Sequence, residues 1–221
     1  KVSTSLNRAV WVNDNIQDFP DQQDVLRYVL CSTAPETKDN DFTWKDFQDR
    51  NNNELVSIFG NFVNRAMVLM HKLCGGKVPR LHESFMDESD REMLKEFGVA
   101  KEKIENSLES YRFREALAEV IEFSRKGNQY LQKNEPWILA SILEKLNNNE
   151  KHSKYPQYEA KDIPFLQARI DICLHISLQM AANLAIFSYP FLPFTAKRIC
   201  HMLKVVDRML EWDNAGSDKL L

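Results

Sequence analysis

Glycine is scarce, with 6 in 221 residues. That disfavours glycine-rich nucleotide loops and a turn-rich all-β fold, and it favours helices. None of the four cysteines, Cys31, Cys74, Cys173 and Cys200, forms a C-x-x-C pair, so the metal expectation is none. Their wide spacing and apolar neighbours predict reduced, partly buried thiols in a cytoplasmic protein. No metal-ligand spacing links His71, His82, His152, His175 and His201. There is no basic excess either: the formal net charge is −3. An RNA-binding role would need a local patch, because phosphate contacts supply much of such a module's affinity. Long apolar runs are lacking too. The most apolar stretch, Met180 to Leu192, holds Asn183 and Pro190 and is too short to span a membrane, and no signal peptide is visible. The chain starts at Lys1 without a Met, and it reads as a piece of a longer protein.

What is present is ordinary for a globular chain large enough to bury a core: 43% hydrophobic and 28% charged residues. Apolar spacing predicts a helix over 21–33, and a short strand or extended turn at Asp41 to Trp44. A long helix over 45–73 would bury Leu55, Ile58, Phe59, Phe62, Ala66, Leu69 and Leu73. Its opposite side carries Ser57, Asn61, Asn64 and Arg65. Further helices are expected over 87–108 with a break near Gly98, over 112–131, from Pro136 to about 147, from Asp162 onward, and over 194–203. The acidic stretch Glu83 to Asp90 reads as a solvated face. The fold class is mainly α: a helical bundle with a short mixed α/β module at its N-terminus. Boundaries are drawn at 1–48 for that module, 49–206 for the bundle, and 207–221 for a truncated C-terminal tail.

Three local features occur in order. Lys1-Val2-Ser3-Thr4-Ser5 is followed by Asn7 and by Asp24-Val25-Leu26-Arg27-Tyr28. Ala34-Pro35-Glu36 precedes Asp39 to Trp44, then Asn51 to Leu55 and Gly60-Asn61-Phe62-Val63-Asn64-Arg65. Asn128-Gln129-Tyr130 is followed by Pro136-Trp137, and Pro190 to Pro193 forms a turn. The set resembles class I aminoacyl-tRNA synthetases, the methionyl-tRNA synthetases in particular, from Lys1 to about Leu203.

The resemblance implies the helical anticodon-binding fold and a parent enzyme that joins methionine to tRNA-Met using ATP with magnesium. Lys1, Ser3 and Ser5 would be the remnant of the K-M-S-K-S loop, which stabilises charge on the triphosphate. Thr4 stands where that loop's second lysine usually sits. The H-I-G-H motif is not found around any histidine, so this stretch alone is expected to be inactive, with no cofactor of its own. The catalytic domain of the same parent chain would be its partner. Asn61, Arg65 and Trp137 match the anticodon-contacting set for CAU, with Pro136 fixing the backbone and Asn64 as a neighbour. From the residues alone, Asn61 and Arg65 lie four apart on one helix face. An amide, a guanidinium and an indole suit unstacked bases, which are read by edge hydrogen bonds and stacking.

Two alternatives stay open at the level of sequence. One is the anticodon domain of another class I synthetase, for leucine, valine, isoleucine or cysteine. The other is a helical scaffold or oligomerisation module with no RNA role, which the acidic net charge favours.

Overall fold

A computed structural model describes residues 11–36 and 42–221. Nine α-helices follow one another there: α1 Val12–Asp18, α2 Gln23–Ser32, α3 Trp44–Arg50, α4 Asn61–Cys74, α5 Glu88–Glu109, α6 Phe113–Asn134, α7 Pro136–Asn147, α8 Ile163–Ser188 and α9 Pro193–Leu203. A π-helical segment, Asn51–Gly60, joins α3 to α4. No strand occurs among the described residues. The expected α/β lead-in is therefore helical where it is described. Thr43 is extended, but as the N-cap of α3: its hydroxyl accepts from the Asp46 amide at 3.0 Å.

The bundle is built around α8. Helices α4, α5, α6, α7 and α9 all pack on it, and residues Ile176 to Ser188 are buried without interruption. A helix apolar all round must be central. Ala160–Ser188 is long and apolar enough to cross a membrane, but 89% of its most apolar window is buried in the bundle.

The lead-in is docked by polar contacts. Arg27 donates to the Phe191 and Pro190 carbonyls at 2.9 and 3.0 Å. Asp24 accepts from the Thr195 amide in the first turn of α9 at 2.6 Å, a charge placement that the helix dipole favours. Phe19, Phe42, Trp44 and Phe47 form an aromatic cluster beside them.

Three expectations are corrected. The helix predicted over 45–73 is continuous in path, yet its middle ten residues are π-helical, with wider i→i+5 turns. The Ser57 side-chain hydroxyl there donates to the Asn52 carbonyl at 2.7 Å. Helix α5 does not break at Gly98, which sits inside it with open space around it. Asp90 is not on a solvated face: it is fully buried.

Residues 207–221 pack onto α8 and α5. Met209, Leu210 and Ala215 are buried, and the Trp212 indole donates to Glu105 at 2.9 Å. Two buried amides on α8 grip the end of the chain by its backbone. Asn183 bonds Gly216 N and Ser217 O, each at 2.7 Å, and Gln179 bonds Leu220 N at 2.9 Å and Leu221 O at 3.3 Å.

Candidate nucleic-acid interface

The surface that joins the sequence-selected residues lies where α4, α6 and the start of α7 meet. Asn61 and Arg65 leave α4 one turn apart. Both reach Asn128 on α6: the Asn61 amide donates to Asn128 Oδ1 at 2.9 Å, and Arg65 Nη1 to the same oxygen at 3.3 Å. Arg65 Nη2 points at Gln132 Oε1, 3.4 Å away. Asn128 is itself anchored, donating to the Ile58 carbonyl at 2.9 Å and to Ser124 O at 3.3 Å. The Arg65 guanidinium lies over the Trp137 ring, 5.3 Å from its centroid, a cation–π pairing that an electron-rich indole face favours.

Sequence reasoning selected Asn61, Arg65 and Trp137, and the structure brings these three side chains near one another. It missed Asn128 and Gln132 as members of the cluster. Their signal was available: Ser124, Asn128 and Gln132 are polar at four-residue spacing on one face of α6.

Close approach of α4 and α6 depends on Gly127. A β-carbon there would sit 2.5 Å from the Phe62 ring, and Phe62 is fully buried. With hydrogen at this position the two helices meet closely enough for Asn128 to reach Asn61 and Arg65.

Trp137 is placed by the turn between α6 and α7. Glu135 adopts a left-handed conformation with φ 41°. Pro136 follows at the first helical position, where its missing N–H removes no hydrogen bond, and it is buried. Immediately before the turn, Asn134 accepts from Arg169 Nη2 at 2.8 Å and donates to Tyr130 O at 3.0 Å. Arg169 comes from α8 and also pairs with Asp90 and with Asp87 (3.1 Å), and donates to the Phe85 carbonyl at 3.1 Å. Tyr130 completes the set with a 2.6 Å bond to Asp90. Burial pushes the Tyr130 phenol far above its usual range, with Asp90 adding to the effect. Tyr130 is therefore a neutral donor here. Burial works against the Arg169 cation, yet its bonds to Asp90 outweigh that and raise its pKa.

Among the described residues no carboxylate pairs with Arg65, and Asn61 is exposed. Two long bonds use only part of the guanidinium's five donors, so the site offers cationic and amide donors beside an aromatic plane. Asn64 is exposed and lines a groove of about 920 Å³ bounded by α2, the π-helical segment, α4 and α9. Lys1, Ser3 and Ser5 lie outside the described residues.

No group of three or more His, Cys, Asp or Glu side chains suited to a metal ion occurs among the described residues, and all four cysteines are free thiols. Burial raises Cys31 and Cys74 to about 11 each. At pH 8 such a thiol is ionised to about one part in a thousand, against about a quarter for an unperturbed cysteine. Alkylation of the native protein at pH 8 should therefore run about two orders of magnitude slower than that of free cysteine. Mass spectrometry of the labelling time course checks this, and rapid labelling of Cys31 or Cys74 would contradict the placement of those thiols.

The tRNA synthetases class I (M) family matches residues 1–67. Over all 221 residues the chain is 48% identical to a methionine–tRNA ligase of Phocaeicola vulgatus and covers 28% of that protein. It is 47% identical to one of Porphyromonas gingivalis, covering 29% of it. The chain thus spans less than a third of the length of these curated relatives. In fold it resembles a Mycobacterium tuberculosis methionyl-tRNA synthetase solved with methionyl-adenylate. The TM-score is 0.76 at 20% identity, over 97% of this chain and 38% of that one. The likeness to methionine–tRNA ligases runs unbroken through all 221 residues, and the helical fold is similar to the corresponding part of the solved methionyl-tRNA synthetase.

Proposed function

We propose that the chain reads the anticodon of tRNA-Met, with residues 49–206 as the recognition domain and residues 1–48 connecting it to a catalytic domain of the same parent protein. The observation that carries this reading is the convergence of Asn61, Arg65, Asn128 and Trp137 on one surface. Its chemistry fits a splayed single-stranded loop: an indole for stacking, a guanidinium for a base edge or phosphate, and an amide for paired bonds to a base. The parent would be an ATP-dependent methionine–tRNA ligase acting in the cytoplasm, with magnesium supporting the ATP chemistry. Lys1, Ser3 and Ser5 would contact ATP there.

Trp137→Ala should weaken binding of an RNA hairpin with a CAU loop by about 1–3 kcal/mol, the worth of one base–aromatic stack. Arg65→Ala should cost a comparable amount. Asn61→Ala should reduce discrimination against a hairpin with an altered first anticodon base more than it reduces affinity. The three effects should not add, because the side chains share one site. Titrations of both hairpins against each variant test the set. Unchanged affinity and preference in Trp137→Ala and Arg65→Ala would reject the site.

A further inference from the structure

Arg169 lies remote in sequence from the cluster and shares no hydrogen bond with Asn61, Arg65, Asn128 or Trp137, yet its guanidinium meets three elements at one point. It bonds the Phe85 carbonyl before α5, Asp87 and Asp90 at the start of α5, and Asn134, the last residue of α6. Its side chain is 10% exposed and that of Asp90 is fully buried. Asp90 also receives Tyr130 from the last turns of α6, and Asp87 and Asp90 form the capping box that starts α5. The end of α6 is thus tied to α5 and α8 by directional bonds, where apolar contact alone would let it slide. The next residue, Glu135, is held at φ 41°, a conformation disfavoured for a side chain with a β-carbon. Pro136 then fixes its own φ, and Trp137 follows. No freely rotating residue separates the Asn134 anchor from the indole.

We propose that Arg169, acting through Asn134, is a positioning residue for Trp137 in RNA recognition, an inference that rests on the anticodon reading above. The Arg169–Asn134 bond sets where α6 stops, the strained residue and proline transmit that endpoint, and the indole arrives already placed over Arg65. Because Trp137 is ordered before RNA binds, less side-chain ordering has to accompany the stack.

The test uses Asn134, because removing it leaves the buried Arg169–Asp90 pair intact. Binding of a CAU-loop RNA hairpin is measured for wild type, Asn134→Ala, Trp137→Ala and the double variant. Asn134→Ala should weaken binding about tenfold in the wild-type background, and less than twofold when Trp137 is already alanine. Asn134→Asp keeps an acceptor for Arg169 and should bind within about threefold of wild type. An equal loss from Asn134→Ala on both backgrounds, or no loss on either while Trp137→Ala binds weakly, would overturn the positioning role alone. Wild-type binding by Trp137→Ala would overturn the anticodon reading and the positioning role together.

Discussion

Replacing Arg169 with methionine should lower folding stability by about 3–5 kcal/mol, the usual cost of leaving one member of a buried ion pair alone. Asp90 is the group stranded. It is fully buried, and without Arg169 it would keep only the Tyr130 hydroxyl and the Asp87 amide as donors. Methionine nearly matches the volume of the arginine stem, so lost packing contributes little and the loss reads the charge. For a chain of this size each kcal/mol corresponds to about 2–4 °C in melting temperature. Removing both charges, as Arg169→Met with Asp90→Leu, should recover much of the loss, since an apolar pair has no desolvation to offset. Urea titrations of the two variants measure this. A loss below about 1 kcal/mol for Arg169→Met would show that water or a shifted side chain compensates Asp90.

The second large effect lies at Gly127, where the sign of the change is diagnostic. Alanine favours a helix interior over glycine by about 0.8–1.0 kcal/mol, so propensity alone predicts stabilisation. A β-carbon here would come within 2.5–2.7 Å of three Phe62 ring atoms. Overpacking of that kind costs about 1–3 kcal/mol, and with so rigid a neighbour the net result should be a loss. Separation of α4 from α6 should also stretch the Asn61–Asn128 and Arg65–Asn128 bonds, so RNA affinity should fall with stability. Gly98→Ala is the control. It is equally interior to a helix, has nothing within 4 Å of the added carbon, and should gain about 1 kcal/mol. Thermal melts of both variants decide the matter, and stabilisation by both would mean that α4 and α6 lie farther apart than described.

The same two glycines show what sequence can and cannot carry. Both occupy helical patterns, and sequence alone gives each the same meaning. The difference lies in whether a phenyl ring from sixty-odd residues away rests on that spot, and nothing local encodes it. Helices α6 to α9 were legible because apolar spacing, Pro136 as a helix start and Pro190–Pro193 as a turn agreed with one another. The π-helical segment was not, because Leu55, Ile58, Phe59 and Phe62 fit an α-helical stripe equally well. Asp90 was misread as solvated for a related reason: a carboxylate in an acidic run becomes a core residue only once a distant arginine is known to meet it. Asn61, Arg65 and Trp137 were identified through family resemblance. Asn128, which holds the first two together, stood in a quoted motif but was assigned no task.

The grip of α8 on the end of the chain has a different kind of consequence. Within the final segment, Asn183 and Gln179 bond main-chain atoms, those of Gly216, Ser217, Leu220 and Leu221. Main-chain groups are common to every residue type but proline. The instructions for where this segment lies are therefore written largely in α8, and Ser217, Asp218 and Lys219 are free to change their letters. Gly216 is not, with φ 80° and the Lys101 side chain 3.2 Å from where a β-carbon would stand, and neither are Leu220 and Leu221, whose side chains pack against the core. Substitutions at Ser217, Asp218 and Lys219 should leave the path of the backbone unchanged, whereas replacing either amide on α8 would erase the address while leaving the segment's own sequence intact.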